Sequence, residues 1–159
     1  MKTGWLLLLL AGCGYQFTHV GGELPEGVQK VHAAVFVNKT PEPGAEAIFT
    51  QSLREQLLRA GRLEDAALAQ AEIKGTLEGI SGSPLLTEPG RLPTYRLNAT
   101  VTLKLVKGER ELTRQVVSGS EDYLGGADVL LTESNRQAAL HRLSDTLMRE
   151  GFERLASTF

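Results

Sequence analysis

Any chemistry in this chain would have to come from very few side chains. His19, His32 and His141 are its only imidazoles, and Cys13 is its only thiol. No histidine has another four residues on, and none has a neighbouring cysteine, so no metal-ligand spacing is present. His141, Ser144 and Asp145 offer a base, a hydroxyl and a carboxylate within about one helical turn. That spacing describes the polar surface of a helix, and no Gly-x-Ser-x-Gly turn or P-loop accompanies it. We therefore expect no catalytic residues, no metal and no cofactor. The side chains grouped like a binding surface are basic: Arg91, Arg96, Lys104, Lys107, Arg110 and Arg114. Arginine makes two parallel charge-assisted bonds to a phosphate, and lysine adds a point charge. Two readings stay open here: contact with an anionic partner, or a solvated strand face balanced by Glu109, Glu111 and Glu121.

The thiol has a more definite context. Lys2 gives a short positive start, Trp5 to Leu10 is an unbroken apolar run, and Leu10-Ala11-Gly12-Cys13 follows. A charged start, a short apolar stretch and small residues describe a secretory signal peptide. The run falls far short of the ~20 residues a membrane-spanning helix needs. Leu-Ala-Gly-Cys resembles the lipobox of bacterial lipoproteins. The resemblance implies lipid transfer to the Cys13 sulfur, cleavage before Cys13 and acylation of the new amine. A thiolate is the nucleophile such a transfer requires, and two or more acyl chains hold a protein stably to a membrane. Gly14 stands where an aspartate often signals retention in the inner membrane, which points to the outer membrane instead.

The organisation expected is a signal peptide over 1–12, a lipidated tether over 13–27 and a single domain over 28–159. That length supports one real core. Lys and Arg number 17 against 19 Asp and Glu, so nothing suggests nucleic-acid binding. With one cysteine no intrachain disulfide can form, and stability must come from apolar burial.

Periodicity supplies the elements. Val28 to Val37 is rich in β-branched residues and reads as a strand with Val31, Ala33, Val35 and Val37 on one face. Pro41 and Pro43 end it. Ala45 to Ala60 reads as a helix, with Ile48, Phe49, Ser52, Leu53, Gln56 and Leu57 on one stripe and Gly61 at the left-handed position beyond its end. Glu72 to Ser81 alternates as a strand, and its glycines let something bulky pack close. Gly82 to Pro93 is a connection with Leu85 and Leu86 at its centre, an apolar tip of the kind that marks contact surfaces. Tyr95 to Val106 alternates most clearly, burying Leu97, Ala99, Val101, Leu103 and Leu105 and exposing Arg96 and Lys104. A tight turn at 107–110 leads to a returning strand, 111–123. A last helix, capped by Thr132 or Ser134, runs to about Ala156. Strand, helix, three strands, helix, each with one apolar face, pack as an α+β two-layer sandwich: two helices on one face of a four-stranded mixed sheet.

These features together carry a second resemblance. Leu-Ala-Gly-Cys-Gly-Tyr-Gln-Phe at the start, Val35-Phe36-Val37-Asn38-Lys39-Thr40 before the helix 46–58, Tyr95-Arg96-Leu97 after a long hairpin, and a C-terminal helix are similar to the lipopolysaccharide-assembly lipoproteins, often called LptE or RlpB. The likeness of organisation covers most of residues 13–157. It implies the same sandwich fold, no catalytic activity, and a place inside a large outer-membrane β-barrel that transports lipopolysaccharide. Such proteins plug the barrel, assist its folding and can bind lipopolysaccharide. On that basis Arg91, Arg96, Lys104 and Lys107 would touch lipid A phosphates or an acidic barrel lumen, and Leu85 and Leu86 would touch a barrel loop. A different class of function, a lipid-anchored periplasmic adaptor or pilotin-like chaperone for another outer-membrane assembly, fits the same segments.

Overall fold

A computed structural model describes residues 23–85 and 90–157. Cys13, the signal segment, Tyr15, Phe17 and Leu86 lie outside the described residues. The elements run β1 Val31–Ala33, β2 Val37–Asn38, α1 Ala45–Arg59, β3 Ala71–Pro84, β4 Thr94–Lys107, β5 Arg110–Leu124 and α2 Val129–Ala156. The sheet order is β1-β3-β4-β5, with β2 also paired to β3. β1 and β2 are parallel to β3, so α1 is the crossover of a βαβ unit, while β3, β4 and β5 form an antiparallel meander. Both helices cover one face, and no described element covers the other.

The core follows the alternation in the sequence. Leu97, Ala99, Val101, Leu103 and Leu105 of β4 are buried, and they face Phe49, Leu53 and Leu57 of α1 and Leu140, Leu143, Leu147 and Met148 of α2 in one cluster. Fully burying one such side chain stabilises by about 1.5–3 kcal/mol. α1 ends as its sequence predicts, with Gly61 at φ +65° and its N–H bonded to the Leu58 carbonyl. Leu24 and Val28 are buried in the same cluster, and the short 3-10 turn Pro25–Gly27 sets Glu26 against Arg110. The chain thus enters the domain beside the β4–β5 turn.

Two expectations are corrected. The strand read over 28–37 is two short strands, so the sheet has five strands rather than four. Val31 and Ala33 pair with Ala71 and Ile73, but Val37 pairs with Thr76, so one extra residue is accommodated between them. An inserted residue reverses which side chains face the core. Phe36 therefore points inward, while Val35, at 67% exposure, and Val37 point out. The cause is local: the Phe36 ring lies directly over Gly75, which has no Cβ, and the Phe36 N–H donates to Thr50 Oγ1 at 3.0 Å. The second correction concerns α2. It begins at Val129, three residues before Thr132, because Asp128 is the cap and its Oδ1 accepts the Leu131 N–H at 2.8 Å.

Candidate functional site

The uncovered sheet face is built from every second residue of β3, β4 and β5, so the strand register fixes its chemistry as lateral rows. Beginning at the end where the chain enters, one row holds His32, Glu72 and Val106, with Glu111 opposite Val106. The next is Lys74, Lys104 and Arg114, three cations directly across adjacent strands. Above them lie Val37, Thr76, Thr102 and Val116, all β-branched. The upper rows are small and polar: Gly79, Thr100 and Ser118, then Ser81, Asn98 and Ser120. Ser83, Arg96 and Asp122 close the face.

The basic residues singled out in the sequence therefore do not form one patch. Arg96 and Lys104 share the face, but eight residues of extended strand put them about 26 Å apart. Arg96 is held by its cross-strand partner Asp122 through two bonds of 2.7 and 2.8 Å. That guanidinium pulls the Asp122 carboxyl below its ordinary range. Arg91 is exposed in the β3–β4 connection and has an interaction of its own. Lys107 ends β4, at 3.9 Å from Glu26, which also pairs with Arg110. Leu85 is half-buried, and its N–H bonds to the Thr94 carbonyl at 2.8 Å, continuing the hairpin.

Lys104 belongs to a different group. Glu111 bonds Arg114 at 2.8 and 3.0 Å and lies 3.3 Å from Lys104. Its hydrogen bond with Arg114, reinforced by Lys104, brings the Glu111 carboxyl down to about 2. Lys74 is 3.3 Å from Glu72. Sequence reading missed Lys74 because only the β3–β4 register brings it beside Lys104.

A second feature was also missed. Leu92, Leu124, Val129, Leu130 and Leu131 are exposed at the end of the sheet away from the β4–β5 turn, Val129 and Leu130 by more than 80%. Gly125 N–H bonds the Pro93 carbonyl and Asn135 Nδ2 bonds the Leu124 carbonyl, so the segments carrying these residues meet. The signal was present as the run Val129-Leu130-Leu131 after Asp128, but a cap placed at Thr132 leaves that run in a loop. β4 alone spans about 45 Å between the two ends.

His141, Ser144 and Asp145 do not make a reactive surface. Ser144 is fully buried, bonded to Ser52 Oγ of α1 at 2.8 Å and to the His141 carbonyl at 2.8 Å. Ser52 also donates to Asp145 Oδ1 at 2.8 Å. The cluster ties the two helices together, and its hydroxyls are out of a substrate's reach. Among the described residues no three His, Cys, Asp or Glu side chains gather as metal ligands, and no helix is long and apolar enough to cross a membrane.

The lipopolysaccharide-assembly family LptE matches residues 28–155. No curated protein sequence matches the chain. Among solved structures, rare lipoprotein B from Shewanella oneidensis is similar, with a TM-score of 0.57 at 16% identity over 80% of this chain and 95% of that one. The PelC dodecamer from Paraburkholderia phytofirmans gives 0.52 at 16% identity, over 79% and 87% of the two chains. A minor lipoprotein from Acinetobacter baumannii gives 0.50 at 13%, over 82% and 92%. Likeness at such low identity shows the fold alone.

Proposed function

The chain belongs to the lipopolysaccharide-assembly family LptE, and from that premise we propose that it is an outer-membrane lipoprotein that plugs the lipopolysaccharide-transport β-barrel and assists its assembly. The family match over residues 28–155 carries this reading. The shape of the domain is consistent with it. A plug needs surface on all sides for a surrounding wall, and here an uncovered sheet face stands opposite the helix layer. It also needs length: the sheet's ~45 Å is close to the full thickness of a bilayer with its headgroups.

In this reading Cys13 carries the acyl chains, which hold the β4–β5 end near the periplasmic surface. The opposite end, with Leu85, Arg91 and Arg96 beside the apolar cluster of Leu124, Val129 and Leu130, meets the partner and its lipopolysaccharide. An exposed apolar end on a folded domain marks a contact surface. Its arginines add phosphate-matching geometry, since Arg96 is already shaped to a carboxylate fork.

The test is to express the chain with its signal segment in a Gram-negative host, crosslink, and recover it through a C-terminal tag. The expected product is a large β-barrel in 1:1 complex, together with acyl label on the chain that Cys13→Ser abolishes. A lipidated chain recovered alone, or with a partner that is not a barrel, would replace the plug with the adaptor or pilotin-like reading.

A further inference from the structure

The sheet has two edges, and they are finished differently. β1 and β2 are three and two residues long, and the outer side of β1 is covered: the Val31 N–H bonds the Arg62 carbonyl at 2.9 Å, and the Val31 carbonyl accepts the Glu64 N–H at 2.9 Å. β5 is 15 residues long, and no described strand pairs with its outer side. A long edge strand presents a row of unpaired N–H and C=O groups, which folded proteins usually shorten, cover or interrupt. Two side chains of α2 show which groups face outward. Arg154 Nη1 donates to the Val116 carbonyl at 3.1 Å, and Asn135 Nδ2 donates to the Leu124 carbonyl at 2.9 Å. Backbone direction alternates along an antiparallel strand, so Ser118, Ser120 and Asp122 turn their N–H and C=O groups the same way. No described residue outside β5 bonds to these six groups. The two capped carbonyls therefore bracket an open window of five residues, about 15 Å long. A groove of about 280 Å³ runs beside its upper end, between Asp122, Tyr123 and Leu124 of β5 and Asn135, Ala138 and Arg142 of α2. Arg142 holds Glu121 through Nε at 2.6 Å, and no described residue bonds its two terminal nitrogens.

We propose that the β5 edge over 118–122, with the groove beside it, binds an extended polypeptide segment of a partner as an added strand, with an aliphatic side chain in the groove and a carboxylate at Arg142. The row itself selects the class of occupant. Outward N–H and C=O groups recurring every second residue, about 7 Å apart, are matched by another extended backbone, which supplies both kinds of group at the same repeat. Alternate side chains of the added strand then point to the helix side. There Tyr123, Leu124 and Ala138 offer apolar surface, and the unbonded fork of Arg142 matches a carboxylate. Size argues against a second copy of this chain. A stable dimer contributes roughly 20–30 residues a side, whereas the caps at Val116 and Leu124 leave five residues of edge. A short segment needs no more than that, since its affinity comes from main-chain bonds and one or two side-chain pockets. The inference does not rest on the function proposed above, and the site lies on a different side of the sheet from the open face.

The full chain, in detergent, is titrated with a short fluorescein-labelled peptide that alternates valine and threonine and carries one glutamate. The expected result is binding that saturates below about 1 mM. Hydrogen exchange at the Ser118, Ser120 and Asp122 amides, fast in the free chain, slows when the peptide is bound. Backbone pairing is read on the unaltered chain with two N-methylated peptides. Methylating the alternate amides that face β5 abolishes binding, and methylating the other set leaves it intact. Ser120→Pro deletes one outward N–H that β4 does not use, a substitution an edge strand tolerates, and lowers affinity about tenfold; its Tm reports the fold separately. Arg142→Gln weakens binding of the glutamate peptide severalfold and leaves that of its glutamine analogue unchanged, a difference that general loss of fold does not produce. Four results overturn the proposal: no saturation, slow exchange at the three amides in the free chain, equal affinity of the two methylated peptides, or a dimer by light scattering that Ser120→Pro abolishes, which would give the edge to a second copy. No barrel takes part in this titration, so its failure and a failed barrel recovery are told apart.

Discussion

Gly75→Ala is expected to cost more than any exposed charge on this sheet. A Cβ on Gly75 would stand closer than 3.0 Å to Cζ, Cε1 and Cε2 of the Phe36 ring. Carbon atoms rest at about 3.5–4.0 Å, so the ring must retreat by about 1 Å or more. It has little freedom to do so. Phe36 is 3% exposed, and its backbone is held by the bond from its N–H to Thr50 on α1. Overpacking of this kind costs about 1–3 kcal/mol, and we expect about 2–3 kcal/mol because backbone as well as side chain resists. For a domain of this size that lowers Tm by about 5–10 °C. Phe36→Ala alone should cost about 3–5 kcal/mol through its cavity. The double variant separates the contact from general fragility. The three atoms nearest the methyl added at position 75 all belong to that ring, so with the ring gone, adding Gly75→Ala to Phe36→Ala should cost under about 0.5 kcal/mol, a coupling of about 2 kcal/mol. Urea denaturation of the four proteins measures it. Additive costs would refute the account of why the edge strand breaks at Phe36.

Two further outcomes follow from the same structure. Glu42 and Arg136, both largely buried, join the loop before α1 to α2, and the bond from Arg136 holds the Glu42 carboxyl below its ordinary range. A lowered carboxyl contributes stability that is present above the unfolded value of about 4.3 and is lost as pH falls through the folded value; the Tm gap between wild type and Glu42→Gln should therefore be open at pH 7 and close progressively below about pH 4. Asp128→Ala removes the cap of α2 and should cost about 1 kcal/mol by thermal denaturation, whereas Ser134→Ala, within the helix, should be nearly neutral.

The two helices and the buried stripe of β4 were legible because each repeats its pattern over 12 or more residues, whereas β3 was read over ten and β5 from the turn that precedes it. The extra residue between Ala33 and Val37 was not, since nothing in Val-Phe-Val distinguishes an inward valine from an inward phenylalanine. Only Gly75, about forty positions on in sequence, makes room for the larger ring. Of the two glycines of β3, Gly75 did announce a close approach, without saying of what, while Gly79, beyond the bulge, has nothing packed on it. For the binding surface the loss was larger. Arg96 and Lys104 were placed on one face by parity, but parity says nothing of which strand lies beside which at what height. Lys74 entered the group only through register, and Arg96 left it through distance.

The division of the domain into two ends bears on how a plug could act. The end where the chain enters carries paired charges and hydroxyls, with Lys74, Lys104, Lys107, Arg110 and Arg114 each beside a carboxylate. Such a surface exchanges its partners readily, because exposed ion pairs contribute little to holding any one of them. The far end carries exposed leucines and Val129, whose burial against a partner stabilises without any comparable exchange. A surface that exchanges its ligand suits passage, and one that buries apolar area suits permanent attachment. Weakening the far end, for example by Leu130→Asp with Val129→Asp, should therefore reduce recovery of the barrel complex, while Lys74→Gln combined with Lys104→Gln and Arg114→Gln should leave recovery intact. If both variants lost the complex equally, the two ends would be parts of one interface, and the separation of roles argued from the strand register would fail.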